Sequence, residues 1–389
     1  MLLCHTALMV HGARDARPDA AAYVDDALTG ARCHVQVEEH LDRCEPLLAA
    51  LREAWVAQVD EWGWPAPFPD SGGGTPGLDI YIHSSAAGGA YVNSPYVDAD
   101  PQDGRMGATS WMVLAPSIPT SEYPGYIAHE FNHVLQFAVD FTEPSLAPWE
   151  GTATLAEERT YPGEGSGPTT IPDYQATPWA GPLRDGYWLE ELGYWSWYEY
   201  GSVLLMQWLE DVKGGSMPEL WLAMSNSTWT NEPDFLDVLT QELWREFSVW
   251  RATLADYPVG LEATLSVGEE HLATRVQPWG VIYVDVTEPG VLVAESTGAR
   301  LIEVIEVTET RFAVIDWGEE GFDGDDTLKG SELRVRLEAP DAPHPDSGDS
   351  GVPGGSDAPR CGGCDAPAGG PSWILLILAA LRRRRLAGP

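Results

Sequence analysis

Apolar residues recur at intervals of three and four between Glu45 and Trp62. Leu47, Leu48, Leu51, Trp55, Val59 and Trp62 then share one face, which predicts an amphipathic helix. Pro46 suits its first turn, where a missing N–H costs nothing. The Pro/Gly-rich "GWPAPFPDSGGGTPG" stops it, and "LDIYIHS" (78–84) reads as a strand. Residues 91–106 read as loop, and "ATSWMVLAP" (108–116) as a second strand. A long apolar helix begins near Tyr123–Pro124, and "PWEGTATLAEER" (148–159) forms the next, with Trp149 and Leu155 inward. A Pro/Gly-rich stretch to about Gly186 reads as irregular. "WSWYEYGSVLLMQWLEDVKGG" (195–215) is a strongly apolar helix ending at a Gly pair. "EPDFLDVLTQELWREFSVWRATL" (232–254) is a further amphipathic one.

After Pro258 the period changes from helical to alternating. "GVIYVDVT", "VLVAEST", "RLIEVIEVT", "RFAVIDW" and "ELRVRLE" are short β-rich runs between Gly, Pro or acidic turns. They predict a small antiparallel β-sandwich. Residues 340–372 are Pro, Gly, Ser and Asp in character, a tether without a core of its own. No internal repeat is evident. The fold class expected is α+β, with a helix-dominated domain at 30–258 and the sandwich at 259–339. Leader and linker occupy 1–29, and the tether leads to an apolar–Arg tail at 373–389.

Composition narrows the function. A length of 389 residues suits two domains, and 44% apolar content with 17 Trp is ample for packed cores. A formal charge of −38 excludes nucleic acid as a partner, because phosphates demand a basic face. An export route would let Cys33 and Cys44 pair as a disulfide; the alternative is two buried thiols. Cys361 and Cys364 in "CGGC" lack a second Cys or His pair nearby, so they make no zinc knuckle. "MLLCHTALMV" has the short apolar centre of an export signal but no basic residues before it.

The apolar helix contains polar residues that its packing does not explain. "YIAHEFNHVLQF" (126–137) sets His129, Glu130 and His133 inside a hydrophobic run, where each is costly to desolvate without compensation. Positions four apart lie one turn, about 6 Å, up the same face. His129 and His133 can therefore present ring nitrogens to one metal ion. Glu130, rotated by about 100°, misses the ion and can reach a water beside it. Zinc acidifies such a water, and the carboxylate takes its proton as it attacks a polarised carbonyl.

A catalytic zinc site needs three protein ligands and one open position. No His occurs between His133 and His271, and the metzincin extension fails, with Gln136 and Val139 where its Gly and His belong. Glu150 at the start of the next helix is the candidate third ligand, and Gly151 beside it permits close helix approach. Its rivals are Glu143 in the connecting loop and Glu157 or Glu158, two turns farther along. Glu157 falls on nearly the face of Glu150, as a hydrogen-bond partner of a ligand histidine or as a solvated charge. A transition-state donor is also required, and Tyr198 and Tyr200 are candidates, with Tyr200 preferred.

"AHEFNHVLQF" followed by "WEGTATLAEE" resembles the gluzincin clan of metallopeptidases, in which the Glu of an EG-containing helix completes His–His–Glu coordination. More closely, "GWPAPFPDSGGGTPGLDIYI", this HExxH motif and "APWEGTATLAEERTYP" together resemble surface metallopeptidases of myxobacterial type, over about residues 30–215. Leu155 stands where that family usually has Trp. The resemblance implies a zincin-like domain with one catalytic zinc and hydrolysis of peptide or protein substrates. It also implies that an edge strand in the place of "ATSWMVLA" pairs with substrate backbone. Calcium at Asp98, Asp100 and Asp103, or at "DGDD" (323–326), is not favoured, because the bidentate Glu of an EF-hand is missing.

The end of the chain sets a Cys pair, the apolar run Trp373–Leu381 and Arg382–Arg385 in series. Nine apolar residues fall short of the roughly 20 that span a bilayer. The order resembles the tripartite myxobacterial C-terminal sorting signal. That resemblance implies an exported protein at the cell surface or associated with the outer membrane, processed by sorting or anchoring machinery. Separately, the chain is expected to act as a monomer. The competing reading is a surface adhesin or binding module with a vestigial or structural metal site.

Overall fold

The structure is a computed structural model, and it describes residues 17–69, 72–94, 105–194, 196–225, 235–296, 298, 300–319 and 330–340. The start of the leader with Cys4, the Asp98–Asp103 cluster, "DGDD" and everything past residue 340, including Cys361, Cys364 and the tail, lie outside the described residues.

The N-terminal part is built on a five-stranded mixed sheet. Its strands are β1 (Ala22–Asp25), β2 (Arg32–Val35), β3 (Asp79–Ile82), β4 (Ala90–Asn93) and β5 (Trp111–Leu114), in the order β1-β2-β3-β5-β4. β2, β3 and β5 run parallel, and β1 and β4 close the edges antiparallel. Two expectations change here. β1 lies inside the stretch read as leader and linker, and all of β4 but Ala90 lies in the stretch read as loop. β4 also covers β5, so "ATSWMVLA" is an inner strand and the free edge belongs to Ala90–Asn93.

Helices pack on this sheet. α1 (Cys44–Trp55) begins with Pro46 in its first turn and continues as a π turn over Val56–Glu61. Its buried side, Leu47, Leu48 and Leu51, is the face that the spacing indicated. Cys33 of β2 and Cys44 of α1 form a disulfide, which ties the helix to the sheet. α2 (Tyr123–Val139) has Pro124 in its first turn and is buried on every side from Tyr126 onward. A helix enclosed in this way must satisfy its polar side chains inside the protein. α3 (Leu146–Thr160) packs against α2. A Cβ on Gly151 would stand 2.2 Å from Ser202 Oγ, so its missing side chain admits the segment around Ser202.

The stretch read as irregular contains α4 (Gly167–Ala176), a helix despite Pro172 in its interior, and the short α5 (Gly186–Glu191) begins where that stretch ends. The next apolar helix is divided at Ser202 into α6 (Tyr198–Gly201) and α7 (Val203–Gln207), with a π turn over Trp208–Val212. α8 (Met217–Met224) follows. α9 (Phe235–Val238) and α10 (Gln241–Arg251) replace the single helix expected there, because Thr240 caps α10 by accepting the Leu243 N–H.

The C-terminal part comprises β6 (Leu261–Leu265), β7 (Glu270–Val276), β8 (Gly280–Val286), β9 (Val291–Ser296), β10 (Arg300–Thr308), β11 (Arg311–Glu319) and β12 (Ser331–Glu338). They form two sheets, β10-β11-β8-β6 and β7-β12-β9. Their pairings are antiparallel except that β6 runs parallel to β8. Strand alternation explains how the parts join. Ile282 and Val284 of β8 share an apolar cluster with Leu333, Val335 and Leu337 of β12, while Val281 and Tyr283 belong to the cluster that includes the helices.

Candidate metal centre

α2 and α3 bring three ligand-type side chains to one point. One ligand atom from each of His129, His133 and Glu150 lies within 4.8 Å of the others, and all three residues are buried. His129 Nε2 is 3.2 Å from His133 Nε2 and 3.0 Å from Glu150 Oε2; His133 Nε2 is 3.5 Å from the same oxygen. Nitrogen and oxygen ligands about 2.0–2.2 Å from a tetrahedral zinc lie about 3.3 Å from one another. The three observed separations bracket that value, so the donor set fits a small divalent cation without rearrangement.

Partners on the far side of each ring fix its orientation. His129 Nδ1 is 2.7 Å from Glu157 Oε1, and His133 Nδ1 is 2.7 Å from Gln136 Oε1. Both acceptors call for a proton on Nδ1, which leaves both Nε2 lone pairs facing Glu150. The second partners are themselves held. Gln136 Nε2 donates to the Trp149 carbonyl (3.0 Å), so its oxygen is the end presented to His133. Glu157 Oε2 accepts the Ser166 N–H (2.7 Å). With Glu157 at 6% exposure, the solvated-charge alternative is overturned.

The electrostatics favour positive charge at this spot. Burial works against protonating His129, yet the Glu150 and Glu157 carboxylates override it and raise its pKa to about 10. Burial likewise opposes ionisation of Glu150, but the facing His133 and His129 draw it well below the usual carboxylate range. Carboxylates that hold a proton on His129 will also hold a metal cation in its place. Beyond them, burial above all pushes Glu199 up to about 8, and the Glu150 charge adds to the shift.

The rival ligands face elsewhere. Glu143 accepts the N–H groups of Ser145 (2.8 Å) and Phe235 (3.0 Å), and Glu158 accepts that of Gly163 (3.0 Å). Glu130 is fully buried on α2. Tyr200 stacks on His129 with ring centroids 5.7 Å apart, while Tyr198 donates its hydroxyl to the Gly181 carbonyl (2.5 Å). Sequence reasoning missed Gln136 as a partner of His133, although its i+3 spacing was a usable signal. It gave no indication of Glu199.

Comparison with protein-family models and with curated proteins returns no match for this chain. The centre therefore stands on its own geometry: a buried His–His–Glu group on two adjoining helices, able to hold a metal ion.

Proposed function

We propose that this chain is a zinc-dependent peptidase of gluzincin type, with a zincin-like domain followed by a supporting β-sandwich. The observation that carries the reading is the meeting of His129, His133 and Glu150 within 4.8 Å. Bound there, zinc supplies Lewis acidity to a peptide carbonyl and acidifies a water. Glu157 and Gln136 hold the ligand rings in the required tautomer, and Glu150 contributes the negative charge. Glu130 accepts the proton of the attacking water, and Tyr200, packed against His129, is the candidate donor to the developing oxyanion.

Export to the cell surface, with a peptide or protein substrate and sorting machinery acting on the tail, completes the proposal. The Cys33–Cys44 disulfide supports an extracellular or otherwise oxidising compartment. No helix among the described residues is long and apolar enough to cross a membrane.

The test is metal content and hydrolysis measured on the same preparations. Protein purified without chelators is expected to carry about one zinc per chain and to cleave members of a peptide library followed by mass spectrometry. Glu130→Gln is expected to keep the zinc and lose about 10³-fold in rate. Metal-free protein, or a fully active variant, refutes the reading. The depth of the ligands, each no more than 2% exposed, favours a second one, a metal that only braces α2 against α3. Bound zinc without cleavage of any peptide would select it.

A further inference from the structure

Position 58 continues the buried series Leu47, Leu51 and Ala54, three or four residues apart, yet it carries an amide. In the π turn that extends α1, apolar Val56 is 49% exposed while Gln58 is 0% exposed. A polar side chain in that position is costly to bury, so its hydrogen bonds must be met inside the protein. π turns set into α-helices are frequent at functional sites.

The Gln58 bonds reach both helices of the metal centre. Nε2 donates to the Ala128 carbonyl (2.8 Å) in α2 and to Thr160 Oγ1 (3.4 Å) at the end of α3. Oε1 accepts Asn132 Nδ2 (3.1 Å), one turn farther along α2. Ala128 and Asn132 each come one residue before a ligand, His129 and His133. Thr160 follows Glu157, the partner of His129 Nδ1, by three residues. Two anchor points four residues apart on one face of α2 fix its rotation as well as its position.

The arrangement carries a cost. A carbonyl can only accept, so Ala128 decides which end of the Gln58 amide it faces, and Asn132 must offer its nitrogen to the other end. Asn132 Oδ1 is thereby left buried without a hydrogen-bond partner among the described residues. An apolar pair of the same shape would avoid that orphan.

We propose that Gln58 is a positioning residue for the metal centre. Through Ala128, Asn132 and Thr160 it sets the rotation of α2 against α3, and with it the spacing of His129 Nε2 and His133 Nε2 from Glu150 Oε2. This rests on the reading of those three residues as a metal centre and is independent of peptide hydrolysis.

The test pairs zinc affinity, by competition with a fluorescent chelator, with urea unfolding of the full chain stripped of metal. Gln58→Met keeps the side-chain length and loses both ends of the amide; it is expected to weaken zinc binding about 10-fold. Adding Asn132→Leu removes the orphaned partner, so the double variant should regain its unfolding midpoint but not its zinc affinity. Cobalt(II) at saturation should give a d–d spectrum shifted from that of wild type in both variants. Should Gln58→Met fail to fold, the double variant decides. An unchanged cobalt spectrum, or zinc affinity that returns in step with stability, makes Gln58 a packing residue and overturns the proposal. A wild-type chain that binds no zinc refutes the metal centre itself, and this inference with it.

Discussion

Two buried histidine clusters lie on different elements of the N-terminal part, and their accounts of charge differ. On the sheet, His34 of β2 meets Asp79 of β3 (2.8 Å), Arg17 donates to the other Asp79 oxygen (2.7 Å), and the His34 ring stacks on Tyr81. Each oxygen of that carboxylate has a donor, so the cluster is closed. Between α2 and α3, two carboxylates surround two imidazoles whose Nε2 atoms face each other at 3.2 Å. Hydrogen bonds outside the pair occupy the Nδ1 positions, and both Nε2 atoms point inward beside Glu150 Oε2. A buried His–carboxylate pair is therefore no metal signal by itself. Facing lone pairs with surplus negative charge are.

The largest effect should come from removing an inner ligand. His133→Ala is expected to weaken zinc binding by at least about 10³-fold, more than the 10–100-fold typical of an outer partner. His34→Ala should leave zinc stoichiometry unchanged. Competition with a fluorescent chelator measures both, and equal losses in the two variants would erase the distinction.

Next is the closed cluster itself. Asp79→Asn is expected to cost about 3 kcal/mol, because Arg17 and His34 lose the charge that they share. Urea unfolding reads this directly. Zinc content should not change, since no part of the cluster belongs to the metal centre.

A smaller, specific effect belongs to the outer partner of His129. Glu157→Gln is expected to lower zinc affinity by about 10–100-fold while the fold survives, because an amide can still accept the Ser166 N–H. Unchanged affinity would reduce Glu157 to a helix-capping contact for the Ser166 turn.

These contrasts also show how much could be read before the fold was known. The centre was legible because its determinants are local: His129 and His133 lie one helical turn apart, and Glu150 and Glu157 two turns apart on the next helix. The closed cluster was not, since Arg17, His34 and Asp79 meet only through β2–β3 pairing and a contact across 62 residues. β4 was missed for the same reason. Four residues pairing with β5 carry too little pattern to outweigh their loop-like surroundings. α4 was hidden by Pro172, whose single missing helical hydrogen bond is offset by burial of Ile171, Tyr174 and Gln175.

The smallest effect concerns a second closed cluster, and its pH dependence can be signed. Asp26 accepts Arg52 Nε and Nη2 (3.0 and 2.9 Å) on one oxygen, and Thr29 N and Oγ1 (3.0 and 2.6 Å) on the other. Burial would raise its pKa, but Arg52 and Thr29 prevail and lower it to about 2. A carboxylate depressed in the folded state contributes stability above its unfolded pKa, near 4, and loses that contribution as pH falls toward 2. Because Arg52 remains 30% exposed, solvent screening limits the cost of Asp26→Asn to about 1 kcal/mol at neutral pH. Urea unfolding of wild type and variant should show that difference shrinking from about pH 4 downward. A difference independent of pH would mean that Asp26 acts through neutral hydrogen bonds, and that its likeness to the Asp79 cluster is one of shape rather than of charge.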